Sequence, residues 1–243
     1  VTGVEHARGS WVAFVDADDE VDPDMYERLL CNAAEYHADI SHCGYQMCFA
    51  DGRIHYFHNS GVIREQDSDT AVRDLLEGTL VEPGLCNKLY RRSILTDRMF
   101  RVGVYHEDEF WTYKIFSSIR RACRVRYTGY YYYQRHDSIV HTKPSRKRLT
   151  DAFDAAKERM DFIERRYPQF AAVGYAKMMY TCMFLYNEAR GNDFPQKPEL
   201  QAELLAYFRI LFKKYLRAGQ YRKEMWRFCL FRLCPNRYCA LSY

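Results

Sequence analysis

With 243 residues and 48% hydrophobic content, the chain can bury one large core or two modest ones, and a net charge of only +4 without a recognition motif argues against a nucleic-acid binder. Nine cysteines with no CxxC pair exclude a zinc ribbon and a paired disulfide framework, leaving reduced cytosolic thiols as the simplest reading. No apolar run of membrane-spanning length and no signal peptide is present, so the chain is not expected to cross a membrane; 21 Tyr and 15 Phe suit sugar, nucleotide or membrane-surface contacts as well as an aromatic core.

In chain order, Trp11 to Val15 is an unbroken apolar run and reads as a buried strand. Six carboxylates follow within nine residues: Asp16, Asp18, Asp19, Glu20, Asp22 and Asp24. Open α/β sheets place ligands at the carboxyl ends of strands, and so much negative charge there calls for a cation, such as a divalent metal carrying a phosphorylated substrate. Asp22-Pro23-Asp24 also reads as a helix start, with Asp22 as N-cap and Pro23 at the first helical position. That accounts for Asp22 and Asp24. It leaves Asp16 and Asp18 unexplained, because they precede the helix.

The pattern then predicts a helix over 22–36, strands over 40–49 and 53–57 around an Ala50-Asp51-Gly52 turn, and a short helix over 69–77 stopped by Gly78. A strand over 85–90, an amphipathic helix over 107–118, and strands over 123–127 and 130–134 with a Thr128-Gly129 turn complete the first part. From Ser145 the apolar residues recur at helical spacing: Leu149, Phe153, Ala156, Met160 and Ile163, then a less regular set from Phe170 to Tyr180, then Leu200, Leu204, Phe208, Leu211 and Tyr215. Pro168 and the 191–198 stretch mark the breaks. The expected organisation is a mixed α/β part over 1–143 and a helical domain over 144–243.

Three further clusters carry chemistry. His106-Glu107-Asp108-Glu109 opens a helix, where acids favour the dipole, and a carboxylate held there can also act as a general base toward a sugar hydroxyl. Tyr130 to Tyr133 reads as a strand whose tyrosines are mostly core and surface, followed by Arg135, which can pair with a diphosphate, and His141, which can complete a metal shell. Between 209 and 237 nine basic residues stand against one acid, interleaved with Trp226, Phe228, Leu230, Phe231 and Leu233. That stretch suits an interfacial helix on an anionic membrane, and equally a basic helix packed on its own domain or on a partner. An aspartyl phosphatase is disfavoured, since Glu20 occupies the position where that motif needs Thr or Val.

Taken together, these clusters resemble the family 2 glycosyltransferases of the GT-A fold, bacterial enzymes of capsule and cell-wall synthesis among them. Residues 3–19, ending in Phe14-Val15-Asp16-Ala17-Asp18-Asp19, are similar to the family's run into "F-L-D-S-D-D". Asn87-Lys88-Leu89-Tyr90-Arg91 resembles its "W-x-K-L-Y" element, Glu107-Asp108 its "E-D" motif, and Tyr131 to Ile139 its "Y-Y-Y-R-x-R-x-x-S-I" ending.

The resemblance implies a GT-A (Rossmann-like) mixed sheet followed by a helical region. It makes Asp16 and Asp18 a DxD site holding Mg²⁺ or Mn²⁺ with a nucleotide-sugar, and Asp108 the base of an inverting displacement. Arg135 would lie near the diphosphate, His141 on the metal, and Lys88 with Glu107 on the side of a glycan or lipid-linked acceptor. A cytoplasmic enzyme, peripheral on the inner face of the cell membrane, is the corresponding location. Two departures stand out. Cys86 replaces the family's usual Trp, and the opening "V-S-V-I-I-P-x-Y-N" strand with its first β-α-β unit is not in this sequence, so the expectation is an N-terminally truncated transferase. The alternative is a non-catalytic fragment or membrane-associated binding module.

Overall fold

The computed structural model describes residues 2–57, 64–96, 100–134, 143–219 and 225–242. They form two compact units, one of residues 1–103 and 107–142, the other of residues 104–106 and 143–243.

The first unit is built on a seven-stranded mixed sheet. Its strands are β1 (Trp11–Ala13), β2 (Glu20–Val21), β3 (Ile40–Phe49), β4 (Ile54–Phe57), β5 (Arg64–Gln66), β6 (Lys88–Arg91) and β7 (Ala122–Gln134). The main order is β1-β6-β3-β7-β2, with β4 added to β3 and β5 to β7. β3 and β7 run parallel, and the remaining pairs are antiparallel. Among the described residues this unit has the α-helices α1 (Thr2–His6), α2 (Met25–Glu35), α3 (Ser68–Glu77) and α4 (Glu107–Ser118).

Alternation along the strands sorts the two faces. Leu89 of β6 and Cys43 of β3 point toward α2, where they pack with Met25, Leu29, Val125 and Tyr130. Residues of the opposite parity, His42, Lys88 and Tyr90, face α4: the His42 ring meets Phe116, and Tyr90 meets Phe14, which in turn meets Trp111.

Several expected elements need correction. The helix after the acidic run begins at Met25 with Asp24 as N-cap; Asp22 instead accepts the Asp24 N–H at 2.9 Å, closing a turn ahead of the helix. α3 ends as predicted on Gly78, whose φ of 66° places it in the left-handed region. α4 has the predicted limits but is not amphipathic, since Phe110, Trp111, Thr112, Tyr113, Ile115, Phe116 and Ser117 are all buried.

The two strands predicted over 123–134 are one strand, β7, broken only in register. While β3 advances from His42 to Tyr45, β7 advances from Arg124 to Tyr130. The bulge contains Gly129, where a Cβ would fall 2.5 Å from the Tyr127 ring and 2.7 Å from Met25, so only glycine lets α2 pack this closely. The short strands β2 and β5 and helix α1 were not predicted; each is too brief to show a period.

The second unit is helical: α5 (Arg146–Arg166), α6 (Ala171–Gly191), α7 (Lys197–Arg217), α8 (Met225–Leu233) and α9 (Pro235–Ser242). Ser145 caps α5 by accepting the Arg148 N–H, and a 3₁₀ turn at Pro168–Phe170 separates α5 from α6. Phe208 of α7 meets Phe228 and Phe231 of α8 at 6.3 and 4.9 Å, so α8 is held by an aromatic core. Lys214 and Glu164 tie α7 to α5 at 2.6 Å. No helix among the described residues is long and apolar enough to cross a membrane.

Candidate active site

The loop after β1 holds the first acidic cluster. Asp16 and Asp18 are exposed, whereas Asp19 is partly buried and turned inward. The Asp19 carboxylate accepts from the Tyr130 hydroxyl at 2.6 Å and from the Tyr133 N–H at 3.0 Å, and the Asp16 N–H donates to the Tyr130 oxygen at 3.3 Å. Burial raises the Asp19 pKa above the usual carboxylate range against the pull of those two donors, with the Asp18 and Asp16 charges adding to the rise. Further along, the Tyr133 hydroxyl donates to Glu20 at 3.0 Å and the Tyr131 hydroxyl to Asp22 at 3.2 Å.

The tyrosine run is thus the clamp of the acidic loop, a role that reading it as core and surface missed. The available clue was β2, which pairs Glu20 with Tyr131 and Val21 with Tyr130, but a two-residue strand leaves no pattern in the sequence. A cleft of about 380 Å³ opens beside the loop, lined by Asp18, Glu20, Phe49, Ala50, Tyr133 and Gln134.

The second cluster lies at the start of α4. Asp108 is half-buried, its Oδ1 accepts the Glu109 N–H at 2.9 Å, and its carboxyl is pushed up to about 6, chiefly by burial and then by the Glu109 and Glu107 charges. The Phe14 ring, two residues before Asp16, lies 6.0 Å from that of Trp111, three residues after Asp108, so the chain leading into the first cluster packs on the helix that carries the second.

The segment 83–88 connects them. The Pro83 carbonyl accepts from Thr112 Oγ1 of α4 at 2.6 Å, and Cys86 Sγ donates to Asp16 Oδ2 at 3.4 Å. Burial pushes the Cys86 thiol up to about 12, so it stands as a neutral donor to Asp16. Cys86 was noted only as a departure from a Trp, and its contact with Asp16 could not be read from the chain.

Lys88, expected on the acceptor side, is fully buried: its ammonium donates to the Gly84 carbonyl and, at 2.7 Å, to Asn87 Oδ1, and it offers no surface to an acceptor. Glu107 is exposed at the helix start. Arg135 and His141 lie outside the described residues. Among the described residues no group of three or more His, Cys, Asp or Glu side chains converges as a metal cage. Asp16 and Asp18 offer two exposed carboxylates, donors of the type that would suit a hard divalent cation.

This sheet, with an acidic loop after one strand and a carboxylate at a helix start, has the GT-A fold. The same architecture appears in the structure of S. aureus TarS 1–349 in complex with UDP-GlcNAc, with a TM-score of 0.52 at 16% identity over 91% of this chain and 72% of that one. Residues 1–98 match the model of Glycosyl transferase family 2.

Two bacterial relatives are 31% identical: the uncharacterized glycosyltransferase YibD of Escherichia coli over 153 residues (56% of this chain, 42% of that protein), and the putative glycosyltransferase EpsH of Bacillus subtilis over 144 residues (57% and 41%). Glycosyltransferase GlyA of Streptococcus pneumoniae is 24% identical over 218 residues, 84% of this chain and 31% of that protein. The chain spans about two fifths of the length of YibD and EpsH.

Proposed function

We propose that this chain carries the transfer step of a metal-dependent inverting glycosyltransferase, moving a sugar from a nucleotide-sugar donor to a hydroxyl of a glycan or lipid-linked acceptor in surface polysaccharide synthesis. What supports the reading is the presence of two unlike carboxylate sites on one sheet, joined through the 83–88 segment: an exposed pair, Asp16 and Asp18, and a desolvated one, Asp108.

Asp108 has the character of a general base. With a pKa near 6 it is mostly ionised at neutral pH, yet it holds a proton more strongly than an ordinary carboxylate. It takes the proton of the acceptor hydroxyl as that oxygen bonds to the anomeric carbon, while the bond from that carbon to the diphosphate oxygen breaks on the opposite face, inverting the configuration. Asp16 and Asp18 would hold Mg²⁺ or Mn²⁺, which when bound supplies positive charge to the diphosphate. The tyrosine clamp keeps the loop in place, and the cleft beside Asp18, with the rings of Phe49 and Tyr133 and the amide of Gln134, suits a pyranose.

The test is Asp108→Asn in the full chain, with UDP-GlcNAc as the first donor probe and calorimetry beside a transfer assay. Transfer should fall by at least about 100-fold, the ordinary contribution of a general base, while donor affinity stays within a few-fold. Near-normal turnover in the variant would remove Asp108 from the mechanism.

The second unit fits a peripheral membrane role. Phe228 and Phe231 of α8 are buried, whereas Trp226 and Leu233 on its outer side are 63% and 77% exposed; Arg232 and Arg237, close in sequence, are exposed too, the former with its guanidinium over the Phe212 ring. An exposed Trp and Leu flanked by arginines match an anionic lipid surface. Co-sedimentation with phosphatidylglycerol vesicles should decrease in a Trp226→Ser/Leu233→Ser variant, with little binding to phosphatidylcholine in either protein; equal sedimentation of the two proteins would assign the face to another partner.

A further inference from the structure

We propose that Lys88 is a positioning residue for Asp108: a buried ammonium beneath the first turn of α4 that sets how strongly the base holds its proton. This rests on the reading of Asp108 given above.

The geometry comes from three independent elements. Alternation in β6 puts Lys88 on the same face as Tyr90, the face covered by α4 through the Phe14 and Trp111 rings. On α4, Asp108 and Thr112 are one turn apart and share a face, and Thr112 is fixed by its 2.6 Å hydrogen bond to the Pro83 carbonyl. The next carbonyl, that of Gly84, accepts from the Lys88 ammonium. Asp108 thus lies one helical turn from the residue that holds Pro83, and the adjacent Gly84 carbonyl holds Lys88. The ammonium is also bonded to Oδ1 of Asn87, itself a buried residue.

Burying a lysine is costly, and its two hydrogen bonds to Gly84 and Asn87 engage the ammonium's donors without neutralising its charge. The two groups answer each other's charge. The Lys88 charge pulls the Asp108 carboxyl down against its burial, and the Asp108 carboxylate supports the Lys88 ammonium, which burial nonetheless brings down to about 8. The other groups around them are Glu107 and Glu109 on α4, Glu82, Cys43, Cys86 and Tyr90. The Cys43 thiol is pushed up to about 11, the Cys86 thiol to about 12 and the Tyr90 phenol well above its usual range, so these three stay neutral through the range where Asp108 and Lys88 titrate.

The experiment is a pH titration of the Asp108 side-chain carboxyl by ¹³C NMR on the full chain, which needs neither substrate nor turnover. In Lys88→Met the midpoint should rise by about one pH unit, the effect of removing one nearby charge, and in Lys88→Arg it should stay close to that of the parent chain. The reciprocal measurement uses Asp108→Asn, a change at the half-buried helix start that spares the core: the Lys88 ammonium should titrate lower than in the parent chain, by a similar interval. An unchanged Asp108 midpoint in a folded Lys88→Met chain, or an unchanged Lys88 midpoint in Asp108→Asn, overturns the proposal. Should Lys88→Met fail to fold, the reciprocal arm decides alone. Retention of transfer by Asp108→Asn would instead refute the base assignment and leave the charge coupling standing, so the two failures are distinct.

Discussion

The two acidic clusters look alike as sequence, each three or more carboxylates beside a helix start, but the fold treats them in opposite ways. In the loop after β1, donors are brought to the acids: Tyr130, Tyr131 and Tyr133 hydroxyls and the Tyr133 N–H meet Asp19, Asp22 and Glu20, and Asp16 and Asp18 are left at the surface. At the start of α4, Asp108 is withdrawn from water beside two further carboxylates, with one backbone donor and a buried ammonium as compensation. On the reading proposed above, the first environment leaves exposed carboxylates for a cation, and the second gives a carboxylate that gains and loses a proton. Charge density alone therefore says little about role; burial and the supply of donors together decide it.

The largest effect that would break this comparison concerns the loop. Asp16→Asn/Asp18→Asn should abolish Mn²⁺-dependent binding of UDP, an affinity loss of at least about 100-fold by calorimetry, because a hard cation is left without its protein carboxylates. Binding that survives intact would take the exposed pair out of the donor site.

Next in size is stability. The Asp108 pKa near 6 exceeds its unfolded value of 3.8, so the folded chain bears the cost of an ionised, desolvated carboxylate above pH 6 and is relieved of it as pH falls toward 3.8. Asp108→Asn should accordingly stabilise the chain at pH 8, by up to about 3 kcal/mol for a two-unit shift, and the gain should vanish by pH 4. Thermal melts at the two pH values measure the difference; a gain that is equal at both would mean the carboxylate is not desolvated.

A smaller loss is expected at the clamp. Tyr130→Phe removes the 2.6 Å donor to Asp19, leaving a partly buried carboxylate short of one hydrogen bond, at a cost of about 1–3 kcal/mol, and should raise the Asp19 pKa further. Denaturant titration and NMR of Asp19 read both, and a neutral result would mean that water replaces the hydroxyl. Smallest of all, Tyr133→Phe loses only an exposed contact to Glu20 and should change stability by less than about 1 kcal/mol, while still weakening any ligand of the neighbouring cleft.

Much of the fold was legible in the chain. The limits of β3 and α4 and the stop at Gly78 follow from apolar runs, an acidic helix start and one glycine, and the long amphipathic helices of the second unit follow from their period. The family resemblance rests on motifs at 3–19, 87–91, 107–108 and 131–139, and the matching family segment covers the first two of these. What escaped was long-range. Lys88 reads as a surface cation because lysines are seldom buried, and only the parity of β6 under α4 sends it inward. Tyr130 and Cys86 meet Asp16 across 114 and 70 residues, and no local pattern carries that distance.

The bulge at Gly129 settles the sense of everything after it. A strand has only two faces, and between His42 and Tyr45 the partner strand β7 takes three residues more than β3 does, an odd number. Arg124 therefore shares a face with His42, yet Tyr130, also an even step along β7, comes out on the α2 side with Tyr45. Without that inversion the tyrosines would exchange places, and the hydroxyl that now holds Asp16 and Asp19 would point beneath α4. The polarity of the acidic loop is thus written as a parity, and a single added or deleted residue in 125–129 would reverse it while leaving every side chain of the loop itself intact.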